Sequence, residues 1–420
     1  MDVLQDYGTI LIIITASFAF FMAFGVGAND VSNAMGTSVG SKTINAKQAI
    51  IIALIFECAG AYLAGGEVTE TIKSGIIYPA NFINTPDTLV LGMMSALFAS
   101  GSWLLIASRW GWPVSTTHSI VGAIIGFACI TAGTHSVRWG VISGIVGSWF
   151  ITPVIAGVLA YGIFFVIQKL IFDTEKPLHN AQKYGPYFMG LTVFILVIVT
   201  VAKGLKHIGL SLTTGETILI SLAISLVSVV ISYFYFRSKN FIKKARSGVF
   251  GGVERVFSIL MLMTACAMAF AHGSNDVANA IGPLAAVVTI VENGGNIMAT
   301  APMAWWVLPL GAAGIAMGLI IMGYKVMATI GTGITDLTPS RGFSAQFATA
   351  ATVVVASGTG LPISTTQTLV GAVLGIGLAR GIAALNLNVI RNIIASWIVT
   401  LPAGAFFAII IYFVLDLIFR

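Results

Sequence analysis

Long apolar runs separated by short polar segments dominate the chain. A run of roughly 20 apolar residues crosses a bilayer as a helix, and a shorter one dips into it. The pattern predicts about twelve helices. Their boundaries lie near 8–27, 48–65, 88–107, 117–132, 140–171, 187–202, 216–236, 256–272, 304–326, 344–357, 364–379 and 392–419. Runs 117–132 and 344–357 are short, so each is compatible with one arm of a re-entrant hairpin as well as with a full crossing. The predicted class is an all-α polytopic membrane protein.

Composition supports a membrane protein. The 420 residues are 57% hydrophobic and only 9% charged, and the mean hydropathy is +0.97. Such a chain cannot hide its apolar surface inside a water-soluble core. The three cysteines have no metal-binding spacing and are expected to be buried as small apolar side chains. No bound cofactor is therefore expected.

The distribution of the 21 Lys and Arg residues predicts the topology. Cytoplasmic loops are enriched in Lys and Arg, and the densest basic segment is 237–255, so this segment should be cytoplasmic. Counting crossings outward from it places most other basic residues on the same side and both termini outside. The formal charge of +6 is then explained by topology, and no nucleic-acid partner is expected. The lipid bilayer of the cell membrane is the expected surrounding.

One polar segment occurs twice. Residues 27–36 (GANDVSNAMG) return 246 positions later as residues 273–282 (GSNDVANAIG), with seven of ten residues identical. Each copy follows an apolar run and places a carboxylate beside amide side chains. Polar groups at membrane depth are costly unless they meet a partner, an ion or a water-filled cavity, so the pair is expected to be functional. The flanking glycines predict broken helices with free backbone carbonyls. The alternative is that Asn-Asp caps a short second helix.

A second segment is also duplicated. Residues 113–126 (PVSTTHSIVGAIIG) match residues 362–375 (PISTTQTLVGAVLG) at an offset of 249, with eight of fourteen identical. By the predicted topology, runs 8–27 and 256–272 enter the membrane from opposite sides. The repeats would then be inverted, as in many secondary transporters. We expect a first repeat at 8–171, a connector with two spans at 172–255, and a second repeat at 256–419.

The Pro-x-Ser-Thr-Thr segments predict helix starts that bind an anion. Proline favours an opening position, hydroxyls cap the helix, and unpaired backbone N–H groups together with the helix dipole attract negative charge. Two such starts could converge on one tetrahedral oxyanion. The alternative is that the hydroxyls bond only to their own backbone. The predicted anion ligands are Ser115, Thr116, Thr117, Ser364, Thr365 and Thr366.

The Asn-Asp segments predict a cation site. The duplicated segments contain no Lys or Arg, so a multiply charged anion would lack a counter-charge there unless a cation binds with it. Carboxylate and amide oxygens are hard ligands that suit a small cation such as sodium. The predicted ligands are Asn29, Asp30, Asn33, Asn275, Asp276 and Asn279. Together the two site types predict cation-coupled anion symport.

The doubled Gly-x-Asn-Asp-Val-x-Asn-Ala and Pro-x-Ser-Thr-Thr segments closely resemble the inorganic phosphate transporter (PiT) family. The resemblance covers nearly the whole chain. It implies a twelve-span inverted-repeat symporter that moves inorganic phosphate with sodium or protons, often as a homodimer. It also implies that the Asn-Asp segments form the cation sites and the Ser-Thr-Thr segments form the phosphate site. His118 corresponds to Gln367 and Ser32 to Ala278, so the two copies differ.

Four further polar residues are candidates for gating, coupling or substrate contact. Glu57 lies in the second apolar run and has no carboxylate counterpart in the second repeat, so it is either functional or simply buried. His118 and Gln367 follow the predicted anion ligands and could contact the substrate. His272, directly before Gly273, is a candidate for a coupling residue or equally for a helix-end residue.

Sodium is favoured over protons because the extra asparagines build a coordination shell, whereas a proton site needs only a carboxylate. A proton-coupled phosphate permease and a sulfate permease of the same fold stay open. A membrane-embedded enzyme would need a nucleophile or metal triad with recognisable spacing, and the sequence has none, so no enzyme is expected. An anion channel is the remaining alternative.

Overall fold

The computed structural model describes residues 3–201, 212–238, 250–297, 303–324 and 334–420, together with Phe241 and Met327. Thirteen α-helices lie within these residues. They are α1 (Val3–Gly40), α2 (Ala46–Ala64), α3 (Gly66–Glu70), α4 (Pro86–Arg109), α5 (Thr116–Ala132), α6 (Trp139–Ile167), α7 (Pro177–Val199), α8 (Thr214–Arg237), α9 (Gly251–Glu292), α10 (Val307–Met322), α11 (Pro339–Gly358), α12 (Thr365–Arg380) and α13 (Leu387–Phe419). Short π segments follow α3 and α6 at Thr71–Gly75 and Gln168–Phe172.

The helices agree with the predicted apolar runs. Every run falls on one of these α-helices for most of its length; position 202 and positions 325–326, at the ends of two runs, lie outside the described residues. Seven described helices are long and apolar enough to cross a membrane, namely α1, α2, α4, α6, α8, α9 and α13. The all-α polytopic class is therefore confirmed.

Helices α1 and α9 correct the prediction of broken helices. They have 38 and 42 residues and run through both Asn-Asp segments without interruption. The glycines serve close packing instead of a break. A Cβ atom on Gly27 would lie 2.0 Å from the carbonyl oxygen of Ile315, and one on Gly273 would lie 2.1 Å from that of Glu57. Both values are far below van der Waals contact, so only glycine fits where α10 crosses α1 and where α2 crosses α9.

Helices α1 and α9 run in opposite directions. Near one end of the molecule, a Cβ on Gly8 would lie 3.0 Å from Val291, so the start of α1 meets the end of α9. Near the other end, Ser41 Oγ lies 3.1 Å from Met261 Sδ, so the end of α1 meets the start of α9. This antiparallel pair is the geometry that inverted repeats require. The predicted division into repeats at 8–171 and 256–419 stays a prediction.

The start of α1 and the C-terminal residue Arg420 lie at the same end, which we name the terminal end. Arg420 Nε donates to Asp87 Oδ2 at 3.0 Å, beside the start of α4, and the rings of Tyr7 and Phe419 are in contact. Glu254 lies at the opposite end, where Ser340 N donates to its carboxylate at 2.8 Å. The basic segment 237–255 is only partly described, since 239–240 and 242–249 lie outside the described residues. Which end faces the cytoplasm stays a prediction.

Two helical hairpins enter the molecule from opposite ends. Helices α4 and α5 form the first hairpin, whose tip is residues 110–115; helices α11 and α12 form the second, whose tip is residues 359–364. Both tips contain a glycine in the left-handed region, Gly111 at φ 70° and Gly360 at φ 71°. The short predicted run 117–132 is thus one arm of a hairpin, as is run 344–357. Because four predicted runs form two hairpins, the number of complete crossings is smaller than the number of runs.

Each hairpin packs against helices from the other half of the chain. Helix α5 packs on α13, and α12 packs on α6. Small residues allow the close approach: a Cβ on Gly404 would lie 2.4 Å from the carbonyl oxygen of Ser119, and one on Gly375 would lie 2.1 Å from that of Gly157. Likewise α1 packs on α10 and α9 on α2. The two halves therefore share one interior.

The contacts beside the two hairpins differ in chemistry. Gln346 of α11 is fully buried, donates to the carbonyl oxygen of Ala34, and accepts from Ser38 at 3.2 Å and Thr264 at 3.3 Å. It thereby joins the second hairpin to both α1 and α9. The position in the first hairpin that corresponds to Gln346 by the 249-residue offset is Leu97, which lies in the largest apolar cluster. At this pair of corresponding positions, the second hairpin therefore makes polar contacts and the first makes apolar ones.

We predict that Gly27→Ala and Gly273→Ala each lower stability by about 1–3 kcal/mol, since overpacking forces the crossing helices apart. Thermal unfolding of the purified protein in detergent would measure this. Gly144→Ala is the matched control, because a Cβ there meets nothing within 4 Å and alanine favours a helix by up to about 1 kcal/mol. Equal unfolding temperatures for all three variants would refute the proposed role of the two glycines.

Candidate functional site

The duplicated segments meet in the interior of the protein. Asn29, Asp30 and Asn33 lie on α1 and are each no more than 1% exposed. Asn275, Asp276 and Asn279 lie on α9 and are buried to the same extent. Because α1 and α9 are antiparallel neighbours, the two copies face each other across the centre. The predicted cation ligands are thus brought together.

Each Asn-Asp segment bonds to the Ser-Thr-Thr segment of the other repeat. Asn33 Nδ2 donates to Thr366 Oγ1 at 2.8 Å and lies 3.3 Å from Thr365 Oγ1. In the other half, Asn279 Nδ2 donates to Thr116 Oγ1 at 3.2 Å and Thr117 Oγ1 at 3.3 Å. The two sets of bonds are related by the internal repeat. Predicted cation ligands and predicted anion ligands therefore belong to one connected site.

The two hairpin tips also contact each other directly. Thr117 Oγ1 donates to the carbonyl oxygen of Ile363 at 3.0 Å, and Thr366 Oγ1 donates to that of Val114 at 3.2 Å. Thr365 Oγ1 donates to Asp276 Oδ2 at 2.8 Å. The starts of α5 and α12 thus lie side by side, as the prediction of one shared anion site requires.

Ser115 and Ser364 cap the helices that they precede. Ser115 Oγ accepts from the backbone N–H of His118 at 3.2 Å, and Ser364 Oγ accepts from that of Gln367 at 3.2 Å. Capping uses a lone pair of each oxygen, and the hydroxyl hydrogen stays available to donate. The structure therefore contains the self-capping alternative, which is compatible with donation to an anion.

Sequence reasoning missed two serines beside the hairpin tips, at the ends of α4 and α11. Asn29 Nδ2 donates to Ser108 Oγ at 3.1 Å and to the carbonyl oxygen of Trp112 at 2.9 Å. In the other half, Ser357 Oγ donates to Asn275 Oδ1 at 3.1 Å. The signal was present: the pattern Ala-Ser-x-x-Gly-x-Pro occurs at 107–113 and again at 356–362. Extending the duplicated segment six residues toward the N-terminus would have found both.

Several oxygens in this centre accept no hydrogen bond. Among the described residues, the side-chain oxygens Asn29 Oδ1, Asn33 Oδ1, Asn279 Oδ1 and Asp30 Oδ2 are buried and accept none. A buried acceptor without a partner is costly, and a small hard cation would satisfy several such oxygens at once. The donor set therefore fits sodium, whose preferred ligands are oxygens.

Comparison with known proteins identifies the family. The Phosphate transporter family model matches residues 26–408. The chain belongs to the phosphate transporter family. A Haemophilus influenzae protein named phosphate permease is 74% identical over 420 residues, covering 100% of both chains. An Arabidopsis thaliana chloroplastic inorganic phosphate transporter is 39% identical and covers 97% of this chain and 71% of its own.

A solved structure supports the same conclusion. The structure described as the sodium-dependent phosphate transporter has a TM-score of 0.90 and 41% identity, and it covers 97% of this chain and 100% of its own. The resemblance found in the sequence is thus confirmed. The similar proteins are permeases and transporters, which also confirms that this transporter is not an enzyme.

His272 and Glu57 add a cluster that the cation-site prediction did not include. His272 Nε2 lies 2.8 Å from Asp276 Oδ2 and 3.9 Å from Asp30 Oδ2, and its Nδ1 lies 3.2 Å from Glu57 Oε1. All four side chains are at most 1% exposed. Glu57 thus lies at the edge of the central site of the transporter. Ligand atoms of Asp30, His272 and Asp276 lie within 4.8 Å of one another and could hold a metal ion.

This cluster has no polar counterpart in the other half. The crossing of α2 and α9 at Glu57 and Gly273 is matched by the crossing of α10 and α1 at Ile315 and Gly27. The repeat offset of 246 relates His272 to Val26, so an apolar residue stands where the second copy has histidine. His272 was left open as a helix-end residue because a helix break was expected beside it. On an unbroken helix, its spacing of four from Asp276 places both on one face.

The two other coupling candidates lie beside the anion ligands. The ring of His118 packs on Trp149 with 3.7 Å between centroids, and it also lies near the side chain of Gln367. Within the described residues, His118 Nε2 and Gln367 Oε1 are buried without a hydrogen-bond partner. Both residues therefore keep one polar atom available near the hairpin tips.

We predict that His272→Val lowers stability by about 3–5 kcal/mol, because it leaves buried carboxylates without their partner. Adding Glu57→Ile should recover part of this loss, since one of those carboxylates is then removed. Unfolding of the single and double variants in detergent gives the coupling energy. Ile315→Val is the control and should add independently to His272→Val. A double variant that is less stable than His272→Val alone would contradict the assigned pairing.

Proposed function

We propose that the chain imports inorganic phosphate by sodium symport through alternating access. The observation that carries this proposal is the pair of cross-repeat bonds from Asn33 to Thr366 and from Asn279 to Thr116. Since the proposed cation and anion ligands are bonded to each other, an ion bound at one set changes the geometry of the other. Sodium and phosphate are then the two cargoes, and no resident cofactor takes part.

Phosphate would bind between the two hairpin tips. The proposed ligands are the hydroxyls and first backbone N–H groups of α5 and α12, namely Ser115, Thr116, Thr117, Ser364, Thr365 and Thr366. Each tip contributes the positive end of a helix dipole, equivalent to roughly half a charge. Two half charges do not offset a divalent anion, so a bound cation is needed for neutrality.

Sodium would bind beside Asp30 and Asp276. The unpartnered amide oxygens of Asn29, Asn33 and Asn279 support this assignment, because they are hard neutral ligands next to a carboxylate. The bound cation would supply positive charge next to phosphate where the proposed ligands have none. Glu57, His118 and Gln367 are proposed as coupling or gating residues, and assembly as a homodimer stays a prediction.

Alternating access would follow from the two hairpins. Each hairpin reaches the central site from one end of the molecule, so movement of one hairpin would expose the site to one side of the membrane. The inverted arrangement gives both sides an equivalent path. The direction of net transport would then follow the sodium gradient, and the predicted topology places the terminal end outside.

Proton coupling is the second candidate. The observation that favours it is the buried cluster of His272, Glu57, Asp30 and Asp276, since imidazole and carboxylate groups can exchange protons. The three amide oxygens without partners argue for sodium, because a proton relay gives them no role. Sulfate is the alternative anion, and competition with phosphate uptake would test it.

For the anion site, we predict that Ser115→Ala combined with Ser364→Ala weakens phosphate binding more than either change alone. Each lost charge-assisted hydrogen bond is worth roughly 1.5–3 kcal/mol. Binding is measured with radiolabelled phosphate on the purified protein, and unfolding is measured in parallel because cap removal itself costs about 1 kcal/mol. Ser102→Ala, on the side of α4, is the control. Wild-type affinity in the folded double variant would remove this assignment.

For the coupling ion, we predict that an inward sodium gradient drives phosphate uptake into proteoliposomes at fixed pH and that an equal potassium gradient does not. Asp30→Asn or Asp276→Asn should weaken sodium binding directly and phosphate binding by linkage, because each ligand tightens the other by the same factor. Asp173→Asn removes an exposed carboxylate outside the site and serves as the control. Equal uptake in sodium and potassium, with stimulation by a pH gradient, would mean that protons are the coupling ion.

A further inference from the structure

Arg138 places a positive charge directly before a helix at the terminal end. It precedes α6 and makes no side-chain cap there. The residue related to it by the 248-residue offset is Asn386, which precedes α13 and caps it by accepting from Val389 N at 3.3 Å. An arginine at a helix start is unfavourable, because it adds positive charge to the positive end of the helix dipole. Helix capping therefore does not explain the arginine at this position.

The charge of Arg138 is not paired. Within the described part of the chain, its guanidinium packs over the ring of Tyr78 at 4.9 Å and forms no ion pair. Its Nε is buried and donates no hydrogen bond there. Arg420 at the same end is the contrast, since it pairs with both Asp87 and Asp416. Arg138 thus offers a positive charge and a free N–H group.

A cavity of about 370 Å³ lies against Arg138. Its lining consists of Ser74, Pro79, Ala80, Ile83, Arg138 and Ile297. One water occupies ~30 Å³ in the liquid, so the cavity holds a tetrahedral oxyanion together with several waters. A smaller cavity of about 20 Å³ shares Ser74, Pro79 and Ile297 with it and is also lined by Lys73 and by Thr289 of α9. Each of the two adjoining cavities is therefore lined by one basic side chain.

The cavity wall is held in place by backbone pairing. Arg138 N donates to the carbonyl oxygen of Ile76 at 2.9 Å, and Tyr78 N donates to that of Ser136 at 2.8 Å. These bonds fix Arg138 beside the segment that carries Lys73. Lys73, on that segment, is largely buried and lies 3.7 Å from Glu70. The region is therefore preorganised to attract an anion.

We propose that Arg138 and this cavity form an outer capture site for a phosphate oxyanion at the terminal end. The guanidinium fork donates to phosphate oxygens. The smaller cavity, which Lys73 lines, is also lined by Thr289 of α9, the helix that carries Asn279. That the captured anion is also the transported anion rests on the proposed function. The site raises the local phosphate concentration before the anion reaches the hairpin tips.

Phosphate binding to a variant with a weakened central site tests the capture site directly. Purified, lipid-free Ser115→Ala/Ser364→Ala protein in a non-ionic detergent is titrated with radiolabelled inorganic phosphate at low ionic strength. We expect residual binding that Arg138→Gln weakens about tenfold, as expected for one lost charge-assisted bond. Arg138→Lys should retain part of it. Arg391→Gln is the matched control, because it removes one exposed arginine from α13. Residual binding unchanged by Arg138→Gln, or equally reduced by Arg391→Gln, overturns the proposal.

Transport kinetics give a second readout. In phosphatidylcholine proteoliposomes at low ionic strength, Arg138→Gln should raise the KM for phosphate and leave kcat unchanged. The difference should vanish at high salt, since screening removes the attraction. A changed kcat with an unchanged KM overturns the capture role. Absence of uptake by the wild type refutes the proposed function instead, while the binding titration still decides whether Arg138 captures phosphate.

A lipid headgroup is the other source of a phosphate oxyanion at this depth. The same variants are therefore compared in phosphatidylcholine alone and with added phosphatidylglycerol. An effect of Arg138→Gln that appears only with the anionic lipid, together with Arg138-independent phosphate binding in detergent, assigns the site to lipid and overturns capture of the dissolved anion.

Discussion

Polar side chains buried in apolar protein need partners, and here those partners belong to the other half of the chain. Asn33 reaches Thr366, and Asn279 reaches Thr116, across a distance of more than 160 residues in sequence in each case. Without these bonds, the amide donors and the hydroxyls would be buried and unpaired, which is costly in a low-dielectric interior. The position of both hairpin tips depends on this constraint. The short distance between the proposed cation ligands and the proposed anion ligands depends on the same constraint.

Much of this arrangement could be predicted from the duplicated segments. Their offset indicated two equivalent units, and the hydropathy pattern placed each polar segment within an apolar surrounding, which is why Asp30 and Asp276 were expected to meet. The contacts between α1 and α10 could not be predicted, because glycine is compatible both with a helix break and with close packing. The structure shows close packing at Gly27 and Gly273. Because a helix break was expected, the alignment of His272 with Asp276 on one face of α9 was not recognised.

The two halves differ in side-chain chemistry at several positions that the internal repeat makes equivalent. Glu57 and His272 form a polar pair at one helix crossing, and the corresponding residues of the other crossing are Ile315 and Val26, which are fully buried. Gln346 and Leu97 differ in the same way beside the hairpins. The two halves thus share a backbone arrangement but differ in their buried polar side chains. No comparison of the repeats for identity alone would find these residues, because they are the positions at which the repeats differ.

The exchange of contacts between the halves has a consequence for synthesis. The chain emerges from the ribosome in order, so α1 and α5 enter the membrane before α10 and α13 exist. During that interval Asn33 has no Thr366 to bond, and the glycine faces of α1 and α5 have no helix to pack on. The first half must therefore remain in the bilayer with its polar groups hydrated or bound by another factor until translation of the second half is complete. The sequence consists of two similar halves, but the two halves cannot assemble in two separate and equivalent steps.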